Sequence, residues 1–264
     1  MATECCPLKS ELSCFFIVSS PSRRRPQLWR RPSWIMNFGQ IGMMRDYGNP
    51  AIQKSLAQIR SGAKQAAFLM TEPQSGSDLS QFSTSFRLTT DGAFISGTKD
   101  WITGAARRQL FVTLAKEDGS AKHFGLFLID REATRADNIR IMDRKNKLGL
   151  RGLGEYRVEL ENVFVPRENF VIEPFSAARE TLAGDATGVP AAIAKYVCTE
   201  LAVEATTKLS RLCGGNGLSD KLPLERQMRD MRMLTVAGGA SEVLQATIAQ
   251  NLGRLLAPQP AYQV

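Results

Sequence analysis

The chain has 264 residues, 43% hydrophobic and 23% charged, near the average for globular proteins, which excludes collagen, low-complexity fibre and wholesale disorder. Its longest apolar runs reach about half a dozen residues where a spanning helix needs roughly 20, so no segment is expected to cross a bilayer and a soluble protein is expected. The formal charge is +8, from 34 Lys and Arg against 26 Asp and Glu. Half of that excess lies in residues 1–35 and the remaining body is of mixed sign, which argues against a nucleic-acid face built on Arg23–Arg31.

In chain order, residues 1–35 show no sustained period and are rich in Arg, Ser, Pro and Cys, so 1–40 reads as a disordered extension. Glu4 and Glu11 fit a transit peptide poorly. At Asn49-Pro50 a good N-cap precedes a residue suited to the first helical position. Ile52, Leu56 and Ile59 then share one face until Ser61-Gly62, which predicts a single short amphipathic helix within 41–65. From Ala66 to about 170 the texture is β: AAFLMT, FRLTT, AFIS, LFVTLA, HFGLFLID, IRIM and YRVELENVFV alternate with turn signals, predicting a compact sandwich or barrel. Over 171–256 the period is helical again, with Ile193, Val197, Leu201, Ala205 and Leu209 at i+4 steps. A glycine turn at Gly214–Gly217, a helix opening near Pro223, a break at Gly238-Gly239 and a last helix with Val243, Ile248 and Leu252 follow. Residues 257–264 are a tail.

Five cysteines (Cys5, Cys6, Cys14, Cys198, Cys213) without CxxC spacing suggest neither a metal site nor a disulfide framework. The one histidine, His123, opens a strand-like run and is read as a structural or surface residue.

Two polar, small-residue stretches stand out from the strands: Thr71-Glu72-Pro73-Gln74-Ser75-Gly76-Ser77-Asp78 and Gly97-Thr98-Lys99-Asp100-Trp101-Ile102-Thr103-Gly104. Read as loops, they offer backbone N–H groups, hydroxyls and a flat aromatic face, which suits a phosphate-bearing aromatic cofactor. Taken alone, such a loop is as often a turn as a site, and a lone Trp is more often core.

Together and in this order, the stretches resemble the TEP-x-x-GSD and G-x-K-x-WIT segments of the acyl-CoA dehydrogenase family. The resemblance continues through Lys147-Leu148-Gly149-Leu150-Arg151-Gly152, Val163–Pro166, Cys213–Gly217, Pro223–Arg226, Met228-Arg229-Asp230 and Gly239–Val243, spanning about Ile41 to Leu256. It implies an α+β multidomain fold with a central β-barrel or sandwich, flanked by an incomplete N-terminal helical part and an incomplete C-terminal helical bundle. It also implies FAD between the β-domain and the C-terminal helices. Phe68, Met70 and Thr71 would line the flavin, Trp101 and Ile102 would pack on it, and Thr103 would donate to its reactive nitrogen side. Gly76 and Ser77 would contact the cofactor, with Ser77 also meeting the pantetheine arm of an acyl-CoA substrate. Arg211, Gly214 and Gly215 would reach the adenosine of FAD in a neighbouring subunit, and Gly239, Ala240 and Glu242 would complete the cofactor contacts. Arg211 departs from the usual Gln.

The implied reaction is α-proton abstraction from a thioester with β-hydride transfer to flavin, followed by reoxidation through an electron-transferring flavoprotein. Acyl-CoA oxidase and nitroalkane oxidase chemistry stay open. Two departures bear on activity. The position where many members carry the catalytic Glu is Gly238, so no catalytic residue is assigned. Between Phe170 and Lys195 there are only 24 residues where a full member has two further long helices, so apolar helix stripes are expected to lose partners. The resemblance therefore implies a truncated or internally deleted member of the cytoplasm or mitochondrial matrix, forming a homo-oligomer or pairing with a complete paralogue. The alternative is a non-catalytic flavin- or partner-binding remnant.

Overall fold

In a computed structural model the described residues are 38–76, 78, 81–120, 123–144, 146–174 and 188–256. Residues 1–37, Ser77 and the tail 257–264 lie outside them. Two helices come first, α1 (Phe38–Tyr47) and α2 (Pro50–Ser61). The second is the helix that the cap pattern predicts: the Asn49 side chain accepts from the N–H groups of Ala51 and Ile52, and Gly62 closes the helix in the left-handed region. Helix α1 has no sequence counterpart in the reading above, because FGQIGMMRDY has almost no amphipathic period.

Eight strands follow: β1 (Ala66–Leu69), β2 (Ser85–Leu88), β3 (Gly92–Thr103), β4 (Leu110–Glu117), β5 (Phe124–Asp130), β6 (Ile139–Arg144), β7 (Glu155–Pro166) and β8 (Phe170–Ile172). They form one mixed sheet in the order β6-β7-β3-β2-β4-β5-β8, with β1 running parallel to β4. Strand β4 is buried along both faces, and its alternation divides the interior in two. Phe111 and Ala115 join Phe86, Ile95, Phe127 and Val158 in one core; Leu110, Val112 and Leu114 turn to the other, where Met44, Ile52, Leu56 and Ile59 of the first two helices cover the sheet. The short β8 falls beyond the predicted strands. The second motif is not a loop, as its polarity suggested, since Gly97 to Thr103 is the second half of β3.

Three helices complete the described chain: α3 (Gly188–Leu212), α4 (Leu224–Leu234) and α5 (Ser241–Leu256). The glycine run after α3 is a 3-10 turn, and the break before α5 holds Gly238 and Gly239 at positive φ. Lys195 of α3 donates to the carbonyls of Thr235 and Gly239, and Ser241 donates to the Glu200 carboxylate, which ties the three helices together. Helix α4 docks on the sheet at the 147–151 loop: the Leu150 N–H donates to the Asp230 carboxylate at 2.6 Å and Arg229 to the Leu148 carbonyl at 3.2 Å.

The apolar stripe of α3 faces outward. Ile193, Val197, Leu201 and Leu209 are 39 to 56% exposed, whereas the buried positions on α3 include the polar Thr199 and Ser210.

Candidate functional site

The two motif segments are joined by a buried ion pair that sequence reasoning passed over. Glu72 and Lys99 meet at 3.0 Å with both side chains fully removed from solvent. Lys99 Nζ also donates to the carbonyls of Leu114 and Met70, and it sits 3.7 Å from the centre of the Phe82 ring. The Glu72 carboxylate accepts from the Ser83 and Thr84 N–H groups, the Ser83 hydroxyl and the Gln74 amide. Burial pulls against ionisation of Glu72, but the Lys99 charge and these donors outweigh it and hold the carboxyl down to about 2. Burial is also the main influence on Lys99 and pulls its ammonium down to about 7, against the attraction of Glu72. The signal was legible in principle, as one acid and one base each stand inside a motif beside a buried strand.

This staple places the next residues. The Asp100 N–H donates to the Thr71 carbonyl at 2.8 Å, so the end of the first motif lies against the middle of the second. Gly97 is required here, because a Cβ at that position would stand 2.4 Å from the Thr84 hydroxyl and 2.6 Å from its Cα. Between Lys99 and Ile102, β3 has two residues where β7 has only Arg157, and this bulge turns the chain. Asp100 turns inward, where its carboxylate accepts from Arg157 and from the Trp101 N–H. Trp101 is held at φ 60°, in the left-handed region that costs a non-glycine residue about 1–2 kcal/mol. Its side chain is 43% exposed. A strained, outward-facing Trp held by a buried scaffold is the pattern of a ligand-facing residue.

The other expected residues divide. Met70 and Thr71 stand at the end of β1 beside Lys99 and Asp100, and Phe68 is partly buried within β1 against the helix-covered core. Gly76 is exposed, with open space where a side chain would stand. The Ile102 side chain is buried in the sheet core. The Thr103 hydroxyl donates to Glu155 at 2.8 Å. Burial pushes the Glu155 carboxyl above its ordinary range, against the hydrogen bond from Thr103 and the nearby Lys147 and Arg108 charges. Neither Glu155 nor Lys147 belonged to the expected site. His123 pairs with Glu117 at the surface, as expected of a structural residue.

In the helical part, Arg211, Gly214 and Gly215 are exposed at the corner between α3 and α4, and nothing fills the space above either glycine. Gly238, Gly239 and Ala240 form the turn into α5, and Glu242 is exposed in its first turn. A cleft of about 410 Å³, lined by Arg107, Arg108, Arg131 and Arg135, shares no residue with the two motif segments.

The family models for the acyl-CoA dehydrogenase middle domain and C-terminal domain match residues 67–163 and 174–253. The chain is similar to 3-sulfinopropanoyl-CoA desulfinase of Cupriavidus necator, at 23% identity over 84% of this chain and 75% of the relative. It is likewise similar to the mitochondrial short-chain specific acyl-CoA dehydrogenase of Homo sapiens, at 24% over 83% and 71%. In the desulfinase alignment 299 positions take in about 222 residues here, 84% of 264, so about 77 positions of the relative find no counterpart inside the match. Among solved structures the fold resembles butyryl-CoA dehydrogenase from Megasphaera elsdenii, with a TM-score of 0.71 at 21% identity over 81% of this chain and 75% of that one. For the glutaryl-coenzyme A dehydrogenase glutaryl-CoA complex the TM-score is 0.75, at 20% identity over 86% and 76%. Two models of one family, in the family's order and covering 177 of the 264 residues, agree with the motif geometry: the chain belongs to the acyl-CoA dehydrogenase family.

Proposed function

We propose that the chain binds FAD and an acyl-CoA thioester and acts in acyl-CoA dehydrogenation, with proton abstraction as its weak step. The observation that carries this reading is the outward Trp101, strained at the bulge and fixed beside Thr71 by the Glu72–Lys99 staple. The residues fit such a cofactor: Trp101 offers an exposed aromatic face, and Gly76 leaves room for close approach to the backbone. Arg211, Gly214 and Gly215 would meet the adenosine end, while Gly239, Ala240 and Glu242 would approach from the turn into α5. Thr103, whose hydroxyl is held by Glu155, would turn that hydroxyl to donate to the flavin's reactive nitrogen side. Bound FAD would supply the hydride acceptor. The reduced form would pass electrons to an electron-transferring flavoprotein.

The chain's own task is then to orient the thioester and remove its α-proton. A positioned carboxylate contributes on the order of 10²- to 10⁴-fold to such a step. Gly238 offers none, although the space above it is open. That observation favours a second reading, a flavin-binding partner of a complete paralogue. The absorbance spectrum of the purified chain, with and without added FAD, tests the common part of both: a shifted flavin band that survives gel filtration supports it, and no retained flavin at saturating FAD refutes it. Gly238→Glu separates the readings. The first expects acyl-CoA-dependent flavin bleaching to rise at least about tenfold, whereas unchanged, negligible bleaching with flavin bound favours the second.

A further inference from the structure

The arginine cleft lies where the turn from β3 into β4 meets the loop from β5 into β6. Arg107 and Arg108 come from the turn, Arg131 and Arg135 from the loop. One acid, Glu132, also lines it, but its carboxylate pairs with Lys64 at 2.9 Å, the same ammonium that holds Asp130 at 2.8 Å. Among the described residues no carboxylate lies within ion-pair distance of Arg107, Arg131 or Arg135. Two of the arginines are built into the wall. Arg108 is 3% exposed, and its guanidinium donates to the Ala66 carbonyl at the start of β1. Arg131 stands 5.3 Å from the centre of the Phe111 ring and donates to the carbonyls of Arg108 at 2.8 Å and Ala105 at 3.1 Å. Carbonyls fix a guanidinium in place without cancelling its charge. Arg107 and Arg135 are exposed.

We infer that this cleft is an anion site for a short phosphate chain, such as pyrophosphate or the triphosphate of a nucleotide. Like charges gathered on a concave wall focus a positive potential that an anion relieves. The fork of a guanidinium meets phosphate oxygens two at a time. Charge density favours phosphate over carboxylate: a terminal phosphate carries about −1.5 to −2 at pH 7, so a chain of two or three groups answers four arginines in little space. A concave site of about 410 Å³ suits a small molecule. An extended polyanion would need a basic track, and the body around the cleft is of mixed sign. Ala106, Ala136 and Ile139 complete the lining with apolar surface against which a nucleoside can rest. Because the cleft shares no residue with the two motifs, its ligand binds alongside FAD, and the inference stands apart from the proposed function.

Isothermal titration of the full chain tests this, with saturating FAD present so that phosphates do not report on the flavin site, and without divalent cations. The probes are pyrophosphate, ATP, orthophosphate and adenosine. Pyrophosphate and ATP are expected to bind saturably, at least about tenfold tighter than orthophosphate, and adenosine not at all. ATP tighter than pyrophosphate supports a nucleotide as the ligand, and equal affinities support the inorganic chain. Arg107→Ala combined with Arg135→Ala should weaken both at least about tenfold. Lys54→Ala with Arg60→Ala, exposed on α2, removes the same charge elsewhere and should change neither. No saturable binding of pyrophosphate or ATP overturns the inference. So does equal weakening by the two double variants, which would make the attraction one of net charge alone. Should the alanine pair at 107 and 135 misfold by circular dichroism, lysine at both positions decides: it keeps the charge but loses the fork, and unchanged affinity refutes the site.

Discussion

Lys99 shows how a family motif can be structural as well as chemical. Its ammonium is fully buried with a carboxylate and two carbonyls within reach, so truncation strands the Glu72 charge in the interior. Lys99→Met is expected to cost about 3–5 kcal/mol, measured by urea unfolding, and to weaken flavin binding in parallel. A cost below about 1 kcal/mol would mean that the two strands hold without the pair. The same pair sets an acid limit. Glu72 is held at about 2, below the ordinary 4.5, so the folded state binds its proton less readily than the unfolded chain. Its contribution to stability is full above the unfolded value and is lost as pH falls from there towards about 2. In Glu72→Gln, stability measured across that window should fall less steeply than in the native chain. Trp101 works in the opposite sense, since its backbone strain is a cost carried for its position. Trp101→Gly should leave the flavin-free protein as stable or about 1 kcal/mol more so, while raising the flavin dissociation constant at least about tenfold. A loss of more than about 2 kcal/mol in thermal unfolding would instead make Trp101 a core residue.

Among the elements, the bulge in β3 matters most for the site. The extra residue opposite Arg157 breaks the regular register with β7 and lets Trp101 take a left-handed backbone beside Asp100, whose carboxylate accepts from Arg157. The turn between α4 and α5 is the second such element. Gly238 stands at φ 71°, so Gly238→Glu carries a backbone penalty of about 1–2 kcal/mol even though its side chain has room. The variant should therefore unfold at lower denaturant than the native chain while gaining the bleaching described above. Strand texture was visible in sequence for seven of the eight strands, because alternation survives wherever one face is apolar. Helix α1 was not, because its residues lack a period and it is held by the core it helps to cover.

For the whole molecule, the contact between α4 and the sheet is made by polar groups at the 147–151 loop. Asp230 accepts the Leu150 N–H, and Leu150 itself is held at φ 48°, so one carboxylate restrains a strained loop. Asp230→Ala should cost about 1.5–3 kcal/mol, the range for a hydrogen bond to a charged group. Hydrogen exchange should show the loss in α4 and the 147–151 loop but not in β4 and β5. Equal loss of protection in the sheet would mean that the two parts unfold as one. No helix among the described residues is long and apolar enough to span a membrane.

The sequence by itself determined the order of helix, sheet and helices, the caps of α2, and the motif residues from Thr71 to Thr103 and Gly238, because each rests on local periodicity or on a short string of residue types. Only the tertiary structure decided what those residues touch. Thr103 donates a hydrogen bond to Glu155, 52 positions away; Ile102 turns into the core; Glu72 finds Lys99 across 27 residues. The stripe of α3 shows the same division. Its i+4 spacing foretells a helix with one apolar face, but whether that face lies inside or outside depends on what else packs there, which no local pattern records.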